Sequence, residues 1–437
     1  MKHRSLSAIA FVIVILGATF FPAVPGETDH SSGNGKGLRM GTPEEAGLAK
    51  DRLDRITRLM QKHIAENRIA GATGLIARGG KIGYFETWGM MDKESGKPMR
   101  KDSIFRIYSM TKAVTGVAIM ILHEEGRFSL NDPVSKYIPE FKDLKVAVDK
   151  KDPVTGKRTY YTVPSEREMT IRDLLRHTSG LDYQGPRDEK GDLIYPKLGV
   201  TRNDITLEEA IKRLGKAPLV NQPGTVWNYG LSIDVLGRLV EVVSGKTLDG
   251  FFEDRIFKPL GMVDSGFYVP REKWDRVTAL YTLNDDKTIK RSTAPPQESY
   301  KKPAVLLLGG AGLVSTTMDY ARFCQMLANG GELDGARILS RKSVELMGTD
   351  HLGEMPRIGI LQPGYGFGLT FAVNLGPGKT GALGSEGEYN WGGAAGTRFW
   401  IDPKEQMIGV FMIQILPHTG LAYGNEFKQL AYQAISD

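Results

Sequence analysis

The sequence predicts an α/β (α+β) fold: an antiparallel sheet, flanked by helices and formed by both ends of the chain, with a mostly helical domain inserted between those ends. Two β-rich runs near the start, residues 72–77 and 82–88, lie on either side of Gly79-Gly80 and are typical of a tight hairpin. Strand-like segments return in the last third of the chain, while the middle carries mostly short helical patterns, with an exposed hairpin or loop predicted at 146–163. Strands at both ends therefore indicate one sheet that the two ends build together.

The C-terminal third contains three strand-like segments and ends in a helix. The strands are predicted at 367–373, 396–401 and 407–415. The closing helix is predicted at about 426–435. In the middle of the chain, residues 231–243 carry apolar residues at helical spacing and stop at Gly245, and Thr206-x-x-Glu209 has the form of a capping box.

The first residues differ from the rest of the chain. Lys2 and Arg4 precede an apolar stretch at 6–21, and small or turn-forming residues follow from Ala23 to Gly26, which is the layout of a secretory signal peptide. An uncleaved membrane anchor is the alternative, but the stretch is at the short end of the roughly 17–25 residues that span a bilayer. We therefore expect an exported protein, periplasmic or secreted, without stable membrane association after cleavage.

The domain boundaries follow from these patterns. The predicted organisation is a signal peptide at 1–26, a flexible linker at 27–40, an α/β domain at 41–128 and 290–437, and a mostly helical inserted domain at 129–289. The linker prediction depends on a polar, glycine-rich and aperiodic composition.

Composition excludes several classes of protein. Of the 437 residues, 41% are hydrophobic and 25% are charged, which is typical of a soluble globular protein and argues against disorder. The formal charge of +6 is spread along the chain without a lysine or arginine block, so a nucleic-acid partner is not expected. The single cysteine, Cys324, excludes an internal disulfide, and its apolar helical surroundings at 319–327 favour a buried structural thiol over a nucleophile.

Common catalytic signatures are missing from the sequence. There is no H-E-x-x-H, no histidine pair with zinc-ligand spacing, no serine in G-x-S-x-G and no P-loop. We therefore expect neither a metal nor a cofactor.

One catalytic signature is present. Ser109 lies three residues before Lys112, at the start of an almost continuously apolar helix over 113–123, so both side chains share one helix face. The helix N-terminus favours developing negative charge at the serine, and desolvation would lower the pKa of the lysine so that it can accept a proton. The spacing alone is weak, because an N-cap serine followed by a surface lysine has the same pattern.

Two further segments strengthen this interpretation. Pro223-Gly224-Thr225 opens a turn that ends in Tyr229, just before an amphipathic helix. Trp391 begins a run of small residues before a strand, where a substrate is able to lie against exposed backbone.

Together these segments resemble the serine β-lactamase/penicillin-binding protein superfamily, and most closely its esterase branch related to class C β-lactamases, the family VIII carboxylesterases. The matches run in family order from about residue 45 to the C-terminus. They are Ser109-Met110-Thr111-Lys112, the L-L-x-H-T-S-G-L segment at 174–181, Pro223 to Tyr229, the glycine-rich turn at 309–316, and Trp391-Gly392-Gly393.

The resemblance implies a β-lactamase/transpeptidase-like fold and a role for each matching residue. Ser109, Lys112 and Tyr229 would be catalytic, with either Lys112 or the Lys112–Tyr229 pair as the base. The backbone N–H groups of Ser109 and Ala394 would form the oxyanion hole. Substrate contacts would come from Trp391, Gly392, Gly393 and Leu231. The histidine of the L-L-x-H-T-S-G-L segment, His177, would be a structural hydrogen-bonding residue.

Two departures from the β-lactamase pattern bear on the substrate. Leu231 stands where β-lactamases carry the asparagine of Y-x-N, and Trp391 stands where they carry the lysine of K-T-G. A rival third motif, His418-Thr419-Gly420, comes too late in chain order. The departures favour a neutral ester with an apolar acyl group over a β-lactam.

The sequence therefore predicts a serine carboxylesterase that hydrolyses short-chain acyl esters of small molecules through an acyl-enzyme on Ser109. Two alternatives remain open: a β-lactamase or D,D-peptidase with the same Ser-Lys-Tyr machinery, and a catalytically inactive binding or scaffold protein. The oligomeric state is left open.

Overall fold

The computed structural model of the protein describes Met1 and residues 37–156, 158–294, 298–418 and 420–437. Its β-strands, numbered in chain order, are β1 Arg39–Met40, β2 Gly71–Arg78, β3 Lys81–Asp92, β4 Lys97–Pro98, β5 Ile104–Arg106, β6 Lys145–Lys151, β7 Arg158–Pro164, β8 Trp227–Asn228, β9 Tyr281–Leu283, β10 Ile289–Arg291, β11 Val314–Thr316, β12 Glu332–Leu333, β13 Ala336–Arg337, β14 Arg357–Ile358, β15 Tyr365–Phe367, β16 Ala372–Asn374, β17 Tyr389–Gly392, β18 Arg398–Asp402 and β19 Met407–Met412.

Helices connect and cover these strands. They are α1 Lys50–Ala65, α2 Thr111–Glu124, α3 Ile171–Leu175, α4 Ile194–Lys197, α5 Leu207–Leu214, α6 Ser232–Ser244, α7 Leu248–Phe252, α8 Lys258–Leu260, α9 Thr317–Ala328, α10 Arg341–Met347, α11 Pro377–Thr380 and α12 Tyr423–Tyr432. A short 3-10 helix, Tyr108–Met110, precedes α2. None of the helices among the described residues is long and apolar enough to cross a membrane.

The main sheet is built from both ends of the described chain, as the sequence predicts. Its strand order is β1-β3-β2-β19-β18-β17-β16-β15, with β4 attached to β3. Neighbouring strands are antiparallel except for β1, which runs parallel to β3. The N-terminal hairpin β2–β3 therefore meets the C-terminal strand β19 in the middle of the sheet.

The hairpin turn between β2 and β3 depends on its two glycines. Gly79 and Gly80 have φ values of 56° and 76°. A two-residue hairpin loop whose twist matches the strands needs positive φ at both positions, which only glycine adopts without strain. The Gly79-Gly80 pair in the sequence therefore predicts this turn correctly.

Both faces of the sheet are covered, because alternate residues of a strand point to opposite sides. Leu75 and Val410 belong to the larger hydrophobic core, which also contains apolar residues of α2 and α9. Ile76 and Phe411, their chain neighbours, belong to a second core with residues of α1 and α12. Helix α2, which begins two residues after the predicted nucleophile Ser109, therefore lies in the larger core.

One predicted strand is wrong. The segment predicted as a single strand at 367–373 is a hairpin, in which β15 and β16 pair with each other. The chain reverses through Thr370, whose φ is 77°, and the Thr370 N–H donates to the carbonyl oxygen of Leu175 at 3.0 Å. A tertiary hydrogen bond to a distant helix therefore determines this turn, and local β-propensity does not reveal it.

The predicted capping box at α5 forms only in part. The Thr206 side chain accepts a hydrogen bond from the Glu209 N–H at 3.2 Å. The Glu209 carboxylate instead accepts from Arg213 at 2.9 Å, one helical turn further on. The i,i+4 ion pair has replaced the second half of the box.

Apart from Met1, the predicted signal peptide lies outside the described residues, as does most of the predicted linker. At the end of that linker, Arg39 and Met40 already pair with Lys81 and Ile82, so strand structure begins before residue 41. The described residues from 37 onward belong to one compact unit by their contacts. The boundaries of the inserted helical domain stay a prediction.

Candidate active site

The predicted nucleophile lies on a strained turn between β5 and α2. Ser109 is half-buried in the 3-10 helix Tyr108–Met110. Its neighbour Tyr108 has a φ of 43°, a left-handed conformation that is uncommon outside glycine. A hydrogen bond from the Ile107 N–H to the carbonyl oxygen of Leu313, at 3.0 Å, fixes the start of this turn. Strain of this kind is frequent at functional sites.

Lys112 is the polar centre of the site. It is 1% exposed, and its Nζ donates to Ser109 Oγ at 3.2 Å, to the Tyr183 hydroxyl at 3.1 Å and to the Gly310 carbonyl oxygen at 2.6 Å. The same Nζ lies 4.8 Å from the centroid of the Tyr229 ring. Three acceptors match the three N–H bonds of an ammonium group.

The charge state of Lys112 differs from the expectation. Burial alone would lower its pKa, but the nearby oxygens of Tyr183 and Tyr229 and the carboxylate of Asp234 outweigh burial and raise the pKa. Asp234, on α6, is buried, and its Oδ1 accepts the Gly310 N–H at 2.9 Å. The predicted lowering of the lysine pKa is therefore wrong, because the sequence does not reveal that Tyr183, Tyr229 and Asp234 come together around the buried lysine.

Tyr229 faces Lys112 on one side and Trp391 on the other. The Trp391 Nε1–H donates to the Tyr229 hydroxyl at 3.3 Å, and the two ring centroids are 5.2 Å apart. Trp227 and His177 pack against the same tyrosine, with centroids 6.1 and 4.7 Å away. Trp391, predicted to contact the substrate, is 8% exposed and is also a hydrogen-bond donor to Tyr229.

The glycines after Trp391 allow a turn to approach the nucleophile. Gly392 ends β17, and a Cβ on Gly393 would lie 2.4 Å from the carbonyl oxygen of Ile107. Thr397 Oγ1 donates to the same carbonyl at 3.3 Å. This close contact brings Ala394, which is exposed, next to the turn that carries Ser109. In the described part of the chain, the Ala394 N–H donates to no other group and is available to a substrate oxygen.

Two residues of this site are missing from the sequence prediction. Tyr183 bonds to Lys112, and its ring packs edge-on against Tyr229 at 5.5 Å. Asp234 supplies the buried carboxylate. Tyr183 follows the L-L-x-H-T-S-G-L segment by two residues, but its direction depends on the loop conformation. Asp234 reads as one polar residue within an amphipathic helix, so no local signal marks either of them.

The remaining predicted residues lie around this cluster. Leu231 is 3% exposed in the larger core, so its influence on a substrate would be indirect. His418 lies beside the turn at Gly396 and bonds to none of the Ser109, Lys112 or Tyr229 side chains in the described residues. Cys324 is a free, fully buried thiol, as predicted, and burial raises its pKa well above the ordinary value.

Comparison with known proteins shows the family of this chain. A model of the family described as Beta-lactamase matches residues 56–433. The chain belongs to the β-lactamase family. Among its relatives, Protein Rv1367c of Mycobacterium tuberculosis is 35% identical over 357 residues, or 80% of this chain and 86% of the relative. Esterase EstB of Burkholderia gladioli is 30% identical over 368 residues, or 80% of this chain and 86% of EstB.

The fold of this β-lactamase-family chain also has solved counterparts. The structure of EstCE1, described as a hydrolase with promiscuous acyltransferase activity, has a TM-score of 0.72 to this chain at 27% identity. The match covers 89% of this chain and 99% of EstCE1. The predicted β-lactamase/transpeptidase-like fold is therefore confirmed, together with the relation to esterases.

A buried carboxylate anchors the family segment L-L-x-H-T-S-G-L. Asp173 is 1% exposed and accepts hydrogen bonds from Arg167 at 2.6 Å, Arg176 at 3.0 Å and Thr178 at 2.9 Å. Burial alone would raise the pKa of Asp173, but Arg167, the Thr170 N–H and Arg176 lower it to about 2. The ionised carboxylate is therefore part of the folded state.

Asp173→Asn is expected to destabilise this β-lactamase-family protein in a pH-dependent way. Because the folded pKa is lowered, the stabilisation is present above about pH 4 and is lost as pH falls toward about 2, which corresponds to about 2 kcal/mol at pH 7. Urea unfolding of both proteins between pH 7 and pH 3 measures this difference. The control is Asp204→Asn, since the Asp204–Arg202 pair is exposed and should contribute little. If the free energy of unfolding of Asp173→Asn differs from that of the wild type by the same amount at every pH, Asp173 does not have this lowered pKa.

Proposed function

We propose that the protein is a serine carboxylesterase that hydrolyses short-chain acyl esters through an acyl-enzyme on Ser109. The observation that carries the proposal is the hydrogen bond from Lys112 Nζ to Ser109 Oγ at 3.2 Å, within a site where the third motif supplies the indole of Trp391 and not a lysine. The similarity to EstB and EstCE1 supports ester hydrolysis as the reaction.

In the proposed first step, Tyr229 is the base. Lys112 already donates to Ser109 Oγ, and its raised pKa favours the ammonium form, so it is a poor acceptor for the serine proton. The proton of Ser109 passes to the Tyr229 oxygen as Oγ forms a bond to the ester carbonyl carbon. The positive charge of Lys112 stabilises the tyrosine oxygen before it receives this proton.

The carbonyl oxygen becomes an oxyanion during this attack. The N–H groups of Ser109 and Ala394 are the proposed donors, and loss of one such donor typically costs about 2.7–4 kcal/mol. Tyr229 then returns the proton to the leaving alcohol as the carbon–oxygen bond breaks. A water molecule, deprotonated by Tyr229, releases the acid from Ser109 in the second half of the cycle.

The proposed preference for short, uncharged acyl groups follows from Trp391. An indole offers no charge to the carboxylate of a β-lactam, and a buried charged group without a partner costs at least about 1–3 kcal/mol. The indole is almost completely buried and bonded to Tyr229, so it leaves little surface along which a long chain is able to extend. We therefore expect p-nitrophenyl butyrate to be a better substrate than p-nitrophenyl palmitate or a cephalosporin.

Trp391→Lys is expected to raise kcat/KM for hydrolysis of a cephalosporin relative to that for p-nitrophenyl butyrate. The ammonium group would face the β-lactam carboxylate, and the change in the ratio of kcat/KM values should be about tenfold or more. Trp391→Phe is the matched control, because it keeps an aromatic wall without adding a charge. If the wild type already hydrolyses the cephalosporin as efficiently as the butyrate, the esterase assignment gives way to a β-lactamase.

The second candidate function is a β-lactamase or D,D-peptidase, which the shared Ser-Lys-Tyr geometry favours. Trp391 and Leu231 argue against it, and the cephalosporin assay separates the two. A catalytically inactive scaffold is a third candidate. Covalent labelling of Ser109 by a fluorophosphonate would exclude it.

We also propose that the protein is exported. The support is the N-terminal sequence, with Lys2 and Arg4 before an apolar stretch and small residues up to Gly26. N-terminal sequencing of the mature protein would locate the cleavage site, and an intact Met1 in the recovered protein would contradict cleavage.

A further inference from the structure

His177, the buried histidine of the family segment, packs against three aromatic residues of the site. It is 0% exposed, and its ring centroid lies 4.7 Å from that of Tyr229, 5.5 Å from Phe367 and 6.1 Å from Trp227. Its φ is 54°, a left-handed conformation that costs free energy for a residue with a side chain. A residue adopts this conformation in a folded protein only where surrounding contacts stabilise it.

Those contacts are with the two neighbours of Tyr229. The Asn228 N–H donates to the His177 carbonyl oxygen at 2.9 Å. The Gly230 N–H points to His177 Nδ1 at 3.5 Å, a long hydrogen bond. The residues on both sides of Tyr229, Asn228 and Gly230, therefore both donate a backbone hydrogen bond to His177. The ring of His177 packs against the tyrosine ring, with 4.7 Å between the two centroids.

The Gly230 N–H favours one tautomer of the ring. With Nδ1 as its acceptor, the neutral ring carries its proton on Nε2. Nε2 is buried and has no hydrogen-bond partner among the described residues. Burial, followed by the charge of Lys112, lowers the pKa of His177 well below the ordinary value, so the ring is neutral. A neutral ring without a proton-transfer partner is suited to holding Tyr229 and not to exchanging protons with it.

We infer that His177 is a positioning residue, which holds Tyr229 at Lys112 and Ser109 through its left-handed backbone and its Nδ1 acceptor. The inference rests on the proposed function of Tyr229 as the base. A base displaced from the proton that it must accept loses rate steeply, by about a hundredfold for a shift of 1 Å. His177 therefore acts on kcat through Tyr229, without touching the substrate.

Two substitutions of His177 test its Nδ1 acceptor and its left-handed backbone. His177→Leu removes the acceptor and disfavours the left-handed backbone. His177→Asn keeps both, because an asparagine Oδ1 occupies the position of Nδ1 and asparagine tolerates positive φ. The control is Thr178→Val, which removes the bond from the adjacent Thr178 to Asp173 and leaves His177 unchanged. All three changes lower Tm through lost burial or hydrogen bonding.

The test measures kcat and KM for p-nitrophenyl butyrate, together with the rate at which a fluorophosphonate labels Ser109. His177→Leu should lower kcat and the labelling rate by about tenfold to a hundredfold with KM unchanged. His177→Asn should recover most of that loss, and Thr178→Val should keep the wild-type kcat despite its lower Tm.

Two outcomes would overturn the inference: a wild-type kcat in His177→Leu, or an equal loss in His177→Asn and His177→Leu. If the wild type is labelled at Ser109 but hydrolyses no ester, the proposed function fails and the labelling rates still test the positioning role. If the wild type is neither active nor labelled, both proposals fail.

Discussion

Ser109→Ala is expected to abolish ester hydrolysis, by about 10⁶-fold in kcat, while the fold stays intact. Only the nucleophilic oxygen is lost. Lys112 keeps its hydrogen bonds to Tyr183 and to Gly310, so the buried ammonium retains two of its three acceptors. The circular dichroism spectrum and Tm should therefore be close to those of the wild type.

Fluorophosphonate labelling provides a second measurement of the same variant. Ser109→Ala should lose the label completely. Ser340→Ala is the matched control, because Ser340 caps α10 by accepting the Ser343 N–H. This variant should lose about 1 kcal/mol of stability and should still be labelled at the wild-type rate. Activity retained in clean Ser109→Ala protein would show that the nucleophile is another residue.

Lys112→Ala and Tyr229→Phe are each expected to lower kcat by about 10²–10⁴-fold, and the double variant should be little worse than either one. The reason is that the two groups act as one unit. Lys112 Nζ lies over the Tyr229 ring and bonds to Ser109, while the Tyr229 oxygen is the proposed proton acceptor. Once the cation is gone, the tyrosine is a poor base, and loss of its hydroxyl then adds little.

The two single variants should differ in stability, which separates folding from chemistry. Lys112→Ala leaves the Asp234 carboxyl buried without its neighbouring charge, so Tm should fall. Tyr229→Phe removes one hydroxyl that accepts from Trp391, a smaller loss. Rates measured well below both transitions test the coupled base. Independent losses that multiply in the double variant would contradict it.

Several features of this site depend on local sequence alone and were predictable. The S-x-x-K spacing places Ser109 and Lys112 on one side of the start of α2, because the helical repeat determines which side chains meet. Gly79-Gly80 determines the β2–β3 turn. The assignment of Trp391 to the third motif stays a prediction. Its hydrogen bond to Tyr229 was not predicted, because that bond joins two segments that are distant in the chain.

The sequence by itself predicted the sheet built from both ends, because periodicity and turn residues are properties of neighbouring residues. The Ser-Lys-Tyr set came from the resemblance of its motifs to a family, and its catalytic role stays a prediction. The tertiary structure alone decided the electrostatics of the set. Asp234 and Tyr183 come from other elements, and together with Tyr229 they reverse the effect of burial on the Lys112 pKa. Coulomb interactions depend on distance in space and on exclusion of water, and neither quantity is written in a local pattern.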